Sequence, residues 1–146
     1  MLPVTAFHQA TLRTPPRGRG LYDLTRDVAQ IVEGSSVQTG LCHIFLQHTS
    51  ASLIIQENAD PDVLHDLDQW FVRQVRDGDP AYRHDAEGPD DMSAHIRAAL
   101  TQTSLHVPVC EGRLALGTWQ GLYLFEHRTR PHARNLVITV HGDDAR

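Results

Sequence analysis

Histidines and carboxylates are the residues in this chain whose types and spacing suit chemistry. His84, Asp85, Glu87, Asp90, Asp91 and His95 fall within twelve residues, and His48 stands at the end of an apolar run, before Thr49-Ser50-Ala51-Ser52. Glu57, Asn58 and Asp60 follow a few positions later. Three imidazoles, His48, His84 and His95, together with a neighbouring carboxylate form a donor set for Zn²⁺ that leaves a position open for water or substrate. No local zinc motif such as His-Glu-x-x-His is present, so this expectation rests on clustering alone.

The other polar groups divide between chemical and structural duties. Asp60 is needed as a helix cap before Pro61, and Asn58 suits a turn. Glu57 has no evident structural duty and is favoured for general acid–base work or metal binding. Adjacent strand residues point to opposite faces, so Thr49 does not pair with His48. Ser50 lacks a Gly-x-Ser-x-Gly elbow, which argues against a serine hydrolase. Ser50 is more simply an anion or substrate contact. The turn Gly117-Thr118-Trp119-Gln120-Gly121 presents Trp119 and Gln120, and Glu126 lies in the strand that follows. Arg128, Arg130 and Arg134 come next, either as a solvated edge or as bidentate phosphate ligands.

The elements that position these groups follow from periodicity. Val4 to Thr14 reads as a first strand, Tyr22-Asp23-Leu24 as a short extended piece, and Thr25 as the cap of a helix ended by Gly34. Gly40 to Gln47 alternates, with Cys42, Ile44 and Leu46 on one face. Asp60 to Asp77 is a helix with Val63, Leu64, Leu67, Trp70, Phe71 and Val75 on its buried side. A polar loop spans residues 78 to 91, unusually long for a compact domain. Asp91 or Ser93 then caps a helix burying Met92, Ile96, Ala99 and Leu100. Strands follow at Ser104–Cys110, Arg113–Thr118, Gly121–Arg128 and Asn135–His141, read as a β-meander. The order β-α-β-α-α-β-β-β-β indicates an α+β fold, one domain over residues 1–146, with a mixed or antiparallel sandwich-like core and about three helices.

Composition sets outer limits. All thirteen basic residues are arginine, which excludes Schiff-base, phosphate-loop and general-base lysines. A net charge of −5 argues against a general nucleic-acid partner. No apolar run is long enough to span a membrane, and no signal pattern opens the chain. Cys42 and Cys110 read as buried thiols of a cytoplasmic protein. Among the ten histidines, His8, His43, His106 and His141 read as structural strand residues, His65 as exposed, and His127 and His132 as flanking a surface turn.

Five segments carry a family resemblance: His48-Thr49-Ser50-Ala51-Ser52, Glu57-Asn58-x-Asp60-Pro61, Tyr82-Arg83-His84-Asp85-x-Glu87-Gly88, Asp91-Met92-x-x-His95-Ile96 and Gly117-Thr118-Trp119-Gln120-Gly121. In order and nearly without gaps, they resemble the YjbQ family over about Phe7 to Gly142. The resemblance implies a small α+β protein forming a homotrimer, with its polar cluster near a subunit boundary. It implies a site comprising His48, Glu57, Asn58, Asp60, His84, Glu87, Asp91, His95, Gln120 and Glu126. It also implies secondary thiamine-phosphate synthase activity, coupling hydroxymethylpyrimidine pyrophosphate to a thiazole phosphate with release of pyrophosphate. In that reaction Glu57, Asp60 and Asp91 would hold Mg²⁺, and Arg128 or Arg134 would take the phosphates. A Zn²⁺-dependent hydrolase of a small substrate, or a non-catalytic trimer that binds a small molecule or metal, are the alternatives.

Overall fold

Strict alternation of apolar and polar residues positions most of this molecule, a computed structural model describing residues 5–144. In β3 (Thr39–Leu46) Cys42, Ile44 and Leu46 point inward. Leu105, Val107 and Val109 do so in β5 (Ser104–Cys110), and Leu136, Ile138 and Val140 in β8 (Asn135–Asp143); all are buried. These strands join β1 (Thr5–Arg13) and the short β6 (Arg113–Leu114) in one sheet of order β1-β8-β3-β5-β6. A second sheet, β2-β7-β4, contains β2 (Gly20–Asp23), β7 (Gln120–Glu126) and β4 (Ala51–Glu57). All pairings are antiparallel, and the two sheets curl over one core as a half-barrel.

Among the described residues, three helices complete the α+β fold. α1 (Thr25–Gly34) buries Val28 and Val32 in the main core. α2 (Pro61–Gln74) begins as its sequence demands, with Asp60 accepting the Asp62 N–H at 2.9 Å and Pro61 in the first turn. Its end packs Phe71 edge-on to Phe125, ring centroids 5.2 Å apart, beside Val75, Leu67 and Ile96. With the back of the second sheet covered in this way, β7 is buried on both faces from Gly121 to Glu126. Among the described residues no helix is long and apolar enough to cross a membrane.

Several expectations are corrected. The first strand runs Thr5–Arg13, and Val4 lies outside the described residues. The second half is not a meander: β5 pairs with β6, but β7 inserts between β2 and β4, and β8 between β1 and β3. A further strand, β4, occupies Ala51–Glu57, where no element was expected. Arg113–Thr118 is strand only at Arg113–Leu114. Trp70 and Leu100 are exposed, because their helices present other faces: α3 (Asp91–Leu100) buries Asp91, Ser93, Ala94 and Arg97. Cys42 is buried, which pushes its thiol up to about 11, whereas Cys110 ends β5 on the outward face and is exposed. That outward face also carries Phe7, 70% exposed, and His43 tilted against His106, ring centroids 4.6 Å apart. His127, read as a surface residue, is fully buried.

Candidate metal centre

The i, i+4 spacing at the start of α3 puts Asp91 and His95 on one helix face, and the preceding loop returns His84 to the same place. His84 Nε2 lies 2.6 Å and His95 Nε2 3.0 Å from Asp91 Oδ2. The three donor atoms all fall within 4.8 Å of one another. Asp91 is buried, and its other oxygen accepts Arg128 Nη1–H at 2.6 Å. Arg128 also donates to Asp90 Oδ2 at 3.2 Å and to the Glu87 carbonyl at 3.1 Å. Burial alone would raise the Asp90 carboxyl, but donors from Thr129 and Arg128 hold it down to about 2. Asp91 likewise sits below the usual carboxylate range: burial opposes ionisation, and the His84 hydrogen bond with the neighbouring cations outweighs it. The Asp91 hydrogen bond in turn raises His84.

The proton on His95 is fixed by its other neighbour. Nδ1 lies 2.8 Å from the Thr49 carbonyl, and a carbonyl only accepts, so Nδ1 carries the hydrogen. In the neutral ring Nε2 is then a bare lone pair aimed at a carboxylate oxygen 3.0 Å away. A second proton on His95 or a cation between the two groups relieves that repulsion. A ligating histidine is commonly oriented in this way, by a carbonyl on its far nitrogen. The donor set therefore fits a divalent cation.

His48, expected as the third imidazole, stands elsewhere. Its Nε2 accepts the Asn135 N–H at 2.8 Å, and its Nδ1 faces Arg134 Nη1 at 3.3 Å. Burial first, and then the Arg134 charge, lower its pKa. Arg134 is itself bound through Nε and Nη2 to the two carboxylate oxygens of Glu126, both at 2.6 Å, with both residues buried. Glu126, expected to be catalytic, and Arg134, expected to hold phosphate, neutralise each other inside the barrel. Ser50 contributes its carbonyl to Arg134 at 3.3 Å. Arg128 is equally committed, to Asp90 and Asp91.

Glu57, Asn58, Asp60 and Gln120 gather at the opposite end of the β4–β7 pair. Glu57 pairs with Gln120 and Ala51 with Glu126, so about 20 Å of strand separates the two groups. The structural duty that Glu57 lacked in the sequence is plain: its carboxylate accepts the Asp60 N–H at 2.8 Å, bracing the start of α2. Asn58 donates to the carbonyls of Thr118 and Gln120, at 3.2 and 3.3 Å, and Gln120 Oε1 accepts the Gly117 N–H at 2.8 Å. Within one chain, the two sequence clusters do not converge.

Sequence reasoning misses three contributors. The Thr49 carbonyl has no sequence signature, being a backbone group. Asp90 stands in the acidic cluster of the sequence, but its bonds to Arg128 and Thr129 are not legible there. The third is an enclosed chain in which Thr101 donates to Ser52 Oγ at 2.6 Å and Ser52 meets His127 Nε2 at 2.8 Å. Burial, then the charges of Arg97, Arg19 and Arg134, push His127 down to about 3. With Ser52 and His127 both buried, this serine–histidine pair has no access to a substrate.

Comparison with known proteins bears on the chain as a whole. The family model described as UPF0047 protein YjbQ-like matches residues 8–143. A UPF0047 protein of Synechocystis is 53% identical over 93% of this chain and 92% of its own length. The UPF0047 protein YjbQ of Escherichia coli O157:H7 is 43% identical over 94% and 99%. Among solved structures, a YbjQ-like protein of unknown function from Sulfolobus solfataricus superposes with a TM-score of 0.86 at 25% identity, covering 96% of this chain and all of that one. A conserved hypothetical protein of Thermus thermophilus gives 0.78 at 33% identity, over 88% and 97%. Matched along almost its whole length, the chain belongs to the YjbQ family.

Proposed function

We propose that this protein is a divalent-metal-dependent enzyme acting on a small molecule, with His84, Asp91 and His95 as the protein ligands. The placement of the His95 proton carries this reading, since it leaves Nε2 free to ligate. Two imidazoles and one carboxylate favour Zn²⁺ over Mg²⁺, which prefers oxygen ligands. A divalent ion there supplies Lewis-acid polarisation and acidifies water toward neutral pH. Arg128 anchors one Asp91 oxygen and leaves the other facing the imidazoles, while Thr49 fixes the His95 ring. A cleft of about 320 Å³ bordered by Tyr82, His84, Asp85 and Pro89 gives a small substrate an approach.

Hydrolysis is the favoured reaction class. The two arginines expected to take phosphate, Arg128 and Arg134, are already neutralised by carboxylates. Thiamine-phosphate synthesis, expected from the resemblance, is the second reading and needs other cationic groups for its pyrophosphate. We propose the homotrimer as well. It is supported by the uncovered end of the outward sheet face, where exposed Phe7 stacks on His141, and a single-chain mass in light scattering would refute it.

Zn²⁺ titration by calorimetry tests the metal centre. His84→Ala and His95→Ala are each expected to weaken binding by about 100-fold, with little change in Tm. Equal Zn²⁺ affinity in the wild type and both variants would end this reading. Tight Zn²⁺ binding without turnover of any substrate would favour the non-catalytic, metal-binding alternative.

A further inference from the structure

A second cleft, of about 490 Å³, is walled by Phe45, His48, Thr49, Ser50, Thr103 and Arg134. Its volume lies within the range of small-molecule sites. It shares only Thr49 with the metal centre, through the carbonyl that holds His95.

Two hydrogen-bond donors meet in its wall. Because His48 Nε2 accepts the Asn135 N–H, the proton of the neutral ring sits on Nδ1. Nδ1 lies 3.3 Å from Arg134 Nη1, which also only donates. Neither satisfies the other, and one acceptor oxygen placed in the cleft would take both. Burial and the Arg134 charge lower the His48 pKa, which keeps the ring neutral near pH 7.

The charge balance of the wall selects the acceptor. Arg134 is neutralised by Glu126, through two hydrogen bonds of 2.6 Å. An entering anion would meet no net positive charge to offset the hydration it loses. A neutral carbonyl pays a far smaller desolvation cost. Phe45, 42% exposed, adds a flat apolar surface, and the hydroxyl-bearing Thr49, Ser50 and Thr103 border it.

We propose that this cleft binds an uncharged, flat, carbonyl-bearing small molecule of the lactam or carboxamide type. Its oxygen is held between His48 Nδ1–H and Arg134 Nη1–H, and its ring lies against Phe45. The site stands whether or not a metal is bound.

Amide-resolved NMR in the presence of a chelator tests it, using uracil and nicotinamide beside their carboxylate counterparts, orotate and nicotinate. At least one uncharged compound is expected to shift Thr49, Ser50 and Thr103 saturably, with the matching carboxylate weaker by about tenfold or more. Phe45→Ala, at an exposed position, and His48→Phe should each weaken binding by about tenfold while the spectrum stays dispersed. Carboxylates binding as tightly as the uncharged compounds, or no shift with either uncharged compound, would overturn the proposal. The chelator separates this outcome from any failure of the metal reading.

Discussion

Stability is expected to fall by roughly 5 kcal/mol between pH 6.5 and 3 through His127 alone. The folded protein holds His127 neutral down to about pH 3, whereas the unfolded chain protonates it near 6.5. Over that window the unfolded state binds the extra proton, so stability rises with pH, by about 1.4 kcal/mol per unit at the steepest. Below pH 3 both states are protonated and the loss is complete. His84 acts in the opposite sense: its raised pKa adds stability at low pH that fades as pH rises through the folded value. Asp90 contributes only lower down, its stabilisation disappearing between the usual carboxylate pKa and about 2. Urea unfolding at pH 4, 5 and 6 isolates the histidine. His127→Gln, whose amide oxygen still accepts from Ser52, should lose about one proton's worth of slope. An unchanged slope would show that His127 protonates freely in the folded state.

Breaking the Glu126–Arg134 pair should cost about 3–5 kcal/mol from either side. Glu126→Gln leaves a buried guanidinium without its counter-charge, and Arg134→Met leaves a buried carboxylate. The double replacement Glu126→Leu with Arg134→Met is expected to recover most of that loss, because an apolar pair of similar volume escapes the desolvation penalty. Chemical denaturation of the four proteins compares these losses. Single-variant losses below about 1 kcal/mol would place the pair in water-like surroundings. A Glu126→Gln protein of full stability and no turnover would restore Glu126 to catalysis.

What the sequence made legible was local. Period-two alternation located β3 and β5, and Asp60-Pro61 located the start of α2. His84, Asp91 and His95 do come together, because loop return and helical spacing act within twelve residues. The failures are non-local. β4 escaped notice because its hydroxyl Ser52 is satisfied by His127, 75 residues away, so a polar residue sits inside a buried strand. The nitrogens of His48 meet Asn135 and Arg134, across 87 and 86 residues. The partner that neutralises Arg134 lies across a loop. Glu57 is the exception, a local misreading: its carboxylate turns to a backbone N–H three residues on, which residue type alone does not reveal.

α3 meets the rest of the molecule mainly through polar groups. Ser93 donates to Asp77, and Arg97 donates to the Val75 carbonyl at 2.7 Å. Arg19 grips Asp77 with two bonds of 2.9 and 3.0 Å. Greasy contacts tolerate a helix that slides or rolls by a fraction of a turn, whereas directional bonds do not. α3 is thus keyed in place like a shaft with a spline. Substitutions that loosen the apolar layers should leave Asp91 and His95 placed against His84 and the Thr49 carbonyl until the keyway itself fails.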